Sequence, residues 1–215
     1  MDKVLKVIQL IENQLKQFNI GWLKERNKKE EPYRVLVSCV LSLRTKDPVT
    51  EEAAKRLFKG ANSPFEMIKF STRKIERLIY PVGFYRQKAK YIKELSKKLI
   101  NDFQGRVPAN LEDLLKLKGV GIKTANLVLG RGFGIPAICV DTHVHRIANR
   151  IGWIKTNNPK ETEEKLKVII PKNYWIRINY LLVSFGQRIC LPVSPFCSRC
   201  FVNKFCKRKG VKRNR

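Results

Sequence analysis

A lysine and an aspartate, each beside a predicted helix start, are the residues of this chain best suited to covalent chemistry. Lys123 follows Gly119-Val120-Gly121 and lies in the first turn of the next predicted helix. Unpaired backbone N–H groups give a helix start partial positive charge, and a partly desolvated lysine there can act as a nucleophilic amine. Asp141 precedes another helical stretch, where the simplest interpretation is an N-cap. A cap would also hold the carboxylate rigidly, so the pair predicts an amine nucleophile assisted by a carboxylate.

The elements that must position Lys123 are two short helices. Asn110 precedes an amphipathic run with two acidic residues in its first turn, which is typical of a capped helix start. Gly119 supplies a helix stop that tolerates positive φ, and a second helix begins near Ile122. A helix-hairpin-helix of this kind presents amides that favour a DNA phosphate, although short glycine motifs also match plain turns by chance. The leucines expected to be buried are Leu111, Leu114, Leu115 and Leu117.

The charge balance favours a polyanionic partner. The 215 residues include 45 Lys and Arg against 18 Asp and Glu, for a net charge of +27. Nucleic acid is the first candidate partner, and an anionic membrane surface is the second. No apolar run approaches the roughly 20 residues that a membrane-spanning helix needs. The N-terminus predicts an amphipathic helix rather than a signal peptide, so we expect an intracellular protein without a membrane partner.

Hydrophobic periodicity predicts an all-α fold, since no convincing alternating strand is found. Residues 33–43 are apolar on most sides, which is typical of a buried central helix, whereas residues 22–31 predict a polar connection. Ser63 and Glu66 form the pattern of a capping box, and Asp47-Pro48 is expected to cap and start a helix. The other expected helices cover residues 2–18, from Ser71 to before Pro81, 87–103, the two hairpin helices, one after Asp141, and two near 160–169 and 174–187.

The six cysteines divide into two isolated residues and a C-terminal group. Cys39 and Cys139 stand in apolar contexts and are expected to be buried, inert thiols. Disulfides are disfavoured inside cells, so four clustered thiolates indicate zinc or an iron–sulfur cluster. Zinc ribbons usually have two Cys-x2-Cys knuckles, and this chain has one. The group is Cys190-x6-Cys197-x2-Cys200-x5-Cys206.

Taken together, these segments resemble the endonuclease III family of DNA glycosylases. The matching stretches are Gly119-Val120-Gly121-x-Lys123-Thr124-Ala125-Asn126, Phe133-Gly134-x-Pro136, Val140-Asp141-Thr142-His143 and the cysteine spacing. The resemblance implies a monomer with two helical lobes, one over residues 25–133 and the other formed by 1–24 and 134–215. It also implies a DNA-binding cleft between the lobes, with Lys123 and Asp141 at its mouth.

The resemblance further implies a bifunctional glycosylase/AP lyase. Such an enzyme removes oxidised pyrimidines from duplex DNA and cuts the strand 3′ to the abasic site by β-elimination. Lys123 would be the nucleophile and Asp141 its catalytic partner, while residues 190–206 would form a structural [4Fe–4S] loop. The residues implied to contact DNA in the hairpin and the Asp141 segment are Gly119, Val120, Gly121, Thr142 and His143.

Two further loops resemble family segments that enter the duplex beside an extruded base. Arg44 stands where the family often has glutamine, and arginine can donate to the orphaned base and stack on its neighbours. Its alternative interpretation is a solvated arginine at a helix end. Phe84 follows Gly83 in the second loop, where apolar wedges can kink DNA. A role in the hydrophobic core is the alternative for Phe84.

Three departures from the family pattern bear on DNA binding. Lys118 replaces the usual proline and adds a charge beside the hairpin. The loop over residues 191–196 carries no charge, although the family loop between the first two cluster cysteines is often basic. The basic tail over residues 204–215 could compensate, or it could be a disordered, solvated end.

Other functions within and beyond the superfamily remain as alternatives. Adenine-mismatch glycosylases carry a catalytic glutamate at the position that corresponds to Cys39, which argues against them. Mismatch-specific thymine or uracil glycosylases typically lack the lysine, although Arg44 is shared with them. A non-catalytic DNA-binding iron–sulfur protein is the alternative from a different class, and an intact pair of Lys123 and Asp141 argues against it.

Overall fold

The computed structural model describes residues 3–18, 20 and 29–215. Most of the predicted connection over residues 22–31 therefore lies outside the described residues. Within the described chain there is no strand, and the predicted all-α class is confirmed. The helices are α1 (Lys3–Leu15), α2 (Pro32–Ser42), α3 (Asp47–Phe58), α4 (Pro64–Met67), α5 (Thr72–Ile79), α6 (Tyr85–Phe103), α7 (Leu111–Leu115), α8 (Ile122–Leu127), α9 (Thr142–Ile151), α10 (Pro159–Ile169) and α11 (Trp175–Arg188).

The chain forms two compact units, one over Lys29–Ile135 and one from Met1–Lys28 with Pro136–Arg215. We call the first the hairpin unit, because it contains α7 and α8, and the second the cysteine unit. None of the helices in the described residues is long and apolar enough to cross a membrane.

The hairpin unit is built around α2, as its apolar sequence predicts. Glu31 caps this helix by accepting from the amides of Tyr33 and Arg34, and Pro32 occupies the first turn. The Tyr33 hydroxyl lies 2.7 Å from Ser96 Oγ on α6, so the polar end of this large buried side chain is hydrogen-bonded. Cys39 on the same helix is 5% exposed, and burial raises the pKa of its thiol to about 11. The prediction that Cys39 is buried is confirmed.

Helix caps follow the predicted pattern at Ser63 but not at Asp47. Ser63 accepts from the Glu66 amide at 3.2 Å, and the Glu66 carboxylate returns to the Ser63 amide at 3.1 Å. The predicted capping box is therefore confirmed. At α3 the N-cap position is Lys46, which makes no side-chain cap, and Asp47 is already inside the helix. The prediction that Asp47 caps this helix was wrong by one residue. A carboxylate is favoured both at the N-cap and in the first turn, where the helix dipole is positive, so the residue type alone does not separate the two positions.

The cysteine unit packs α1, α9 and α11 around one apolar core. The apolar stripe on α9 consists of Val144, Ile147, Ala148 and Ile151, and all four residues are buried. Gly152 ends α9 in the left-handed conformation at φ 87°. Cys139, just before α9, is also buried, as predicted. The core side chains contributed by the three helices include Val7, Ile8, Ile11, Leu15, Val144, Ile147, Ala148, Ile151, Leu181, Leu182 and Phe185.

Candidate functional site

The hairpin turn depends on its two glycines for different reasons. Gly119 has φ +83°, and a Cβ there would lie 3.1 Å from Tyr91 Cδ2. Gly121 has an ordinary extended conformation at φ −104°, and a Cβ there would meet nothing within 4 Å. The structure requires a glycine only at Gly119, while Gly121 at the start of α8 borders open space.

Apolar anchors hold the hairpin to the rest of its unit. Val120 is 8% exposed, and its amide donates to the Leu117 carbonyl at 3.1 Å. Leu114 and Leu117 are buried as predicted, but Leu111 and Leu115 are each 41% exposed. The prediction of a four-leucine stripe was half wrong because α7 has only five residues, too few to turn every apolar position inward.

Lys123 lies in the first turn of α8 and its side chain is exposed. The residues directly after it, Thr124 and Ala125, are buried, so packing of these two residues holds the start of the helix in place. The expected partial desolvation of Lys123 was wrong, because this turn faces outward from its unit. Its positive charge still acts on Cys39, where it opposes the rise in pKa that burial causes.

Lys118, the departure from the family's proline, forms an ion pair on the surface of its unit. Its Nζ lies 2.8 Å from Glu94 and 5.6 Å from the centroid of the Tyr91 ring. The carboxylate of Glu94 raises the pKa of Lys118. The charge that Lys118 adds beside the hairpin is therefore present, and it is held in an exposed ion pair with Glu94.

Asp141 caps α9 in the cysteine unit, as predicted. Its Oδ1 accepts from the amides of His143 and Val144, each at 2.9 Å. Both bonds use the same oxygen, so capping leaves Oδ2 for another partner. The side chain is half-buried, which fixes the carboxylate on the surface of its own unit.

The two residues after Asp141 have different environments. Thr142 is exposed, whereas His143 lies directly over Gly186, where a Cβ would come within 2.4 Å of His143 Nδ1. Arg146 donates to His143 Nδ1 at 3.1 Å and to the Cys190 carbonyl at 2.9 Å. The backbone of the cysteine group is thus linked to the start of α9 by hydrogen bonds.

The four C-terminal cysteines line a single small cavity of about 20 Å³. All six cysteines of the chain lie within the described residues, and none forms a disulfide. Burial raises the pKa of Cys200 to about 12, and it also raises the pKa values of Cys197 and Cys206. In the described residues no group of three or more His, Cys, Asp or Glu side chains is placed to hold a metal ion.

The surroundings of this cavity suit a thiolate-bound cofactor. Apolar side chains, among them Phe185 and Val202, form part of its lining. Arg150 donates to Cys190 Sγ at 3.4 Å, and the Arg208 amide donates to Cys206 Sγ at 3.3 Å. Such donors stabilise sulfur that carries negative charge, which is the form that binds iron.

The C-terminal tail folds back onto the uncharged loop over residues 191–196. The Arg215 amide donates to the Pro195 carbonyl at 2.8 Å, and the Ser198 amide donates to the Arg215 carbonyl at 2.9 Å. The Arg199 and Arg215 guanidinium groups lie 4.0 and 4.2 Å from the centroid of the Phe196 ring. The interpretation of the tail as a disordered end was wrong, because backbone bonds and cation–π contacts fix it beside the loop.

The two predicted wedge residues lie side by side in the hairpin unit. Arg44 and Phe84 are both exposed, and both adopt the left-handed conformation, at φ 52° and 57°. The guanidinium carbon of Arg44 is 5.7 Å from the centroid of the Phe84 ring. Phe84 is 63% exposed, so the alternative of a core role is excluded.

One functional candidate was missed by the sequence interpretation. Lys88, near the start of α6, is only 4% exposed and lies beneath the Arg44 and Phe84 loops. It precedes the buried Ile92 and Leu95 by four and seven positions, so it shares their helical face. The signal that could have identified Lys88 is its spacing, because a lysine on the same helical face as apolar residues is expected to be buried.

Comparisons with known proteins agree with this arrangement. Residues 37–172 match the family described as "HhH-GPD superfamily base excision DNA repair protein". Endonuclease III of Thermotoga maritima is 52% identical over 196 residues, which cover 88% of this chain and 92% of that protein. The chain belongs to the endonuclease III family.

Solved structures related to this endonuclease III family chain include one with DNA attached covalently. A trapped endonuclease III–DNA covalent intermediate has a TM-score of 0.84 and 32% identity, and the match covers 97% of each chain. A thermostable thymine-DNA glycosylase also has a TM-score of 0.84, with 28% identity and 96% coverage of each chain. The fold alone therefore does not separate these two kinds of glycosylase, and the individual site residues must do so.

The contrast between the two hairpin glycines makes a prediction for this family member. Gly119→Ala forces a left-handed Cβ against the Tyr91 ring, so we expect the free energy of unfolding to fall by about 1–3 kcal/mol. Gly121→Ala is the matched control and should change it by less than about 0.5 kcal/mol, because its Cβ points into open space. Urea denaturation followed by circular dichroism measures both variants. Equal losses at the two positions would contradict the described turn.

Proposed function

We propose that this protein is a bifunctional DNA glycosylase/AP lyase that removes oxidised pyrimidines from duplex DNA. Membership of the endonuclease III family indicates a base excision repair DNA glycosylase/AP lyase. The finer assignment rests above all on Lys123, an exposed amine in the first turn of the helix that follows the hairpin. A mismatch-specific glycosylase is not favoured, because glycosylases of that kind typically lack this lysine.

The proposed reaction begins with extrusion of the damaged base, because its sugar cannot be reached inside the stacked duplex. Lys123 Nζ then attacks C1′, and the bond from C1′ to the base breaks as the new C–N bond forms. The base leaves with the bonding electron pair. Opening of the sugar ring gives a protonated imine between Lys123 and C1′.

Strand cleavage follows from the same imine. The protonated imine withdraws electrons and acidifies the proton on C2′. Loss of that proton forms a C2′–C3′ double bond and expels the phosphate from C3′, which is β-elimination. The strand is thereby cut 3′ to the lesion, and water later releases the sugar from Lys123.

Asp141 is the proposed partner of Lys123. Its carboxylate can accept the proton that the Lys123 amine loses as it attacks C1′, and it can stabilise positive charge that develops on the sugar. The cap supports this role, since two amides fix Oδ1 while Oδ2 is not used by the cap. We also propose that Thr142 and His143, which follow Asp141, contact the duplex.

DNA binding is proposed to centre on the hairpin. The first N–H groups of α8 have no acceptor within the helix, and the open space beside Gly121 gives a phosphate access to them. The net charge of +27 supplies the wider attraction to duplex DNA. Arg199 and Arg215, fixed against Phe196, are proposed to contact phosphates in place of the uncharged loop.

Cys190, Cys197, Cys200 and Cys206 are proposed to hold a [4Fe–4S] cluster. Their shared cavity, its apolar lining and the donors to two of the sulfurs support this proposal. When bound, the cluster supplies structural organisation of the loop that carries Phe196, rather than any step of the reaction. Arg150 contributes by binding the Leu191 and Pro192 carbonyls at 2.7 and 3.1 Å.

The metal prediction is tested by composition. Protein purified without oxygen should contain about four iron and four inorganic sulfide per chain, because each cysteine thiolate binds one iron. Cys139→Ser is a matched control that should keep the iron, whereas Cys200→Ser should lose most of it. Stoichiometric zinc in place of iron in the unmodified protein would rule out the proposed cluster.

The hairpin proposal predicts a selective binding defect. Gly121→Asp adds a negative charge where the structure has room for a side chain, so the protein should fold but bind duplex DNA at least about tenfold more weakly. The loss should be similar for damaged and undamaged duplex, because the contact is to phosphate. Fluorescence anisotropy at several salt concentrations measures it, and Gly121→Ala serves as the neutral control. Unchanged affinity of a folded Gly121→Asp variant would remove the hairpin from the interface.

The proposed nucleophile is tested by trapping. Borohydride reduces the imine to a permanent link, so the protein should become attached to duplex DNA that contains thymine glycol. Lys123→Gln should abolish this adduct while DNA binding persists, since glutamine keeps most of the length without the amine. Asp141→Asn keeps a cap but loses the carboxylate, so trapping should be much slower. An adduct that forms normally with Lys123→Gln would mean that another amine is the nucleophile.

A further inference from the structure

Lys88 is a buried lysine whose ammonium group is surrounded by backbone and hydroxyl oxygens. Its Nζ donates to the Leu41 carbonyl at 2.7 Å, the Leu43 carbonyl at 2.5 Å and Thr45 Oγ1 at 3.0 Å. These three acceptors match the three N–H bonds of a protonated lysine. All of them belong to the end of α2 and the loop after it, which carries Arg44.

Thr45 extends this contact to the second loop. Its Oγ1 accepts both from Lys88 Nζ and from the Gly83 amide, the latter at 3.1 Å. A Cβ on Gly83 would lie only 2.7 Å from the Arg44 carbonyl oxygen, so the two backbones touch. Lys88 itself lies one turn after Phe84, and its amide donates to the Phe84 carbonyl at 3.0 Å. One lysine therefore joins the two loops from below.

The cost of burying Lys88 indicates more than a packing role. All three of its side-chain partners are oxygens without a full charge, and burial lowers the pKa of Lys88 to about 8. A buried cation without a counterion is costly, and an apolar side chain would fill the same space at lower cost. What the ammonium group provides and an apolar group cannot is a fixed hydrogen-bonded geometry for both loops.

We propose that Lys88 is a positioning residue that holds the Arg44 and Phe84 loops together, so that both side chains enter the duplex as one rigid wedge. The wedge lies above Lys88 with Arg44 and Phe84 exposed and in contact. Both residues hold left-handed backbone conformations, which persist only where the surrounding structure enforces them. The inference rests on the proposed glycosylase function. It adds a residue that controls how well the enzyme inserts Arg44 and Phe84 into duplex DNA.

The test uses the full-length, cluster-containing protein and two substrates. One is a duplex with thymine glycol, which requires insertion into the stack, and the other is a single-stranded abasic site, which does not. Lys88→Met removes the donors but keeps the apolar stem. Lys93→Met is the matched control, because Lys93 lies on the same helix and donates to a carbonyl elsewhere, that of Phe70, at 2.5 Å.

Lys88→Met should slow duplex processing by about tenfold or more, because a small misplacement of inserting groups has a large effect on rate. Borohydride trapping on the single-stranded site should stay within about twofold of the unmodified protein, since the Lys123 chemistry is intact. Lys93→Met should leave the ratio between the two substrates unchanged. Equal losses of Lys88→Met on both substrates, or the same substrate ratio in both variants, would overturn the positioning role.

Coupling to the wedge provides a second readout. In protein that already carries Arg44→Ala and Phe84→Ala, adding Lys88→Met should cause little further loss on duplex, because nothing remains to position. A full additional tenfold loss would contradict the proposal. If the double alanine variant processes duplex normally, the wedge assignment fails while the glycosylase function stands. If the unmodified protein acts on neither substrate, the proposed function itself fails.

A milder variant covers the case in which Lys88→Met does not fold. Thr45→Val removes the hydroxyl that accepts from both Lys88 and Gly83 while keeping the shape of the side chain. It should show a smaller loss that is again confined to duplex substrate. Normal duplex processing by a folded Thr45→Val variant would overturn the proposed link between the loops.

Discussion

The left-handed turn at Gly119 is the constraint on which the candidate site depends. Its positive φ redirects the chain so that α8 starts beside open space, and the nearby Tyr91 ring leaves little room for a side chain at Gly119. The residues after Lys123 are buried, which anchors the start of the helix without covering it. Amides that have no acceptor within the helix and a lysine amine thereby lie within one turn of each other. A phosphate contact and a nucleophile can then be supplied by a single short segment of backbone.

At the other candidate positions, too, an exposed functional side chain is held by hydrogen bonds or ring contacts to ordered residues beside it. Asp141 is fixed by two amides through one oxygen, so the carboxylate is oriented without being fully occupied. Arg215 and Arg199 lie against Phe196, which orders two charged side chains beside a loop that has none of its own. Arg44 and Phe84 stand above Lys88. In each case buried hydrogen bonds or ring contacts reduce the conformational entropy that ordering on DNA would otherwise cost.

Sequence predicted the parts of this structure that local physics determines. The Ser63 capping box, the buried α2 and the Asp141 cap all follow from periodicity and side-chain chemistry within a few residues. The errors have tertiary causes. The exposure of Lys123 and the ordered tail depend on which distant segments pack nearby. Lys88 was missed because its burial depends on acceptors supplied by a loop more than forty positions away in sequence.

The central claim is that the amine at the start of α8 forms the covalent bond to the sugar. Its most direct test is peptide mapping by mass spectrometry of the protein after borohydride reduction with DNA that contains an abasic site. After digestion of the DNA and the protein, the mass of the reduced sugar remnant should be found on the peptide that contains Lys123, and fragmentation should assign it to that side chain. Attachment to any other lysine, or to the N-terminal amine, would contradict the claim.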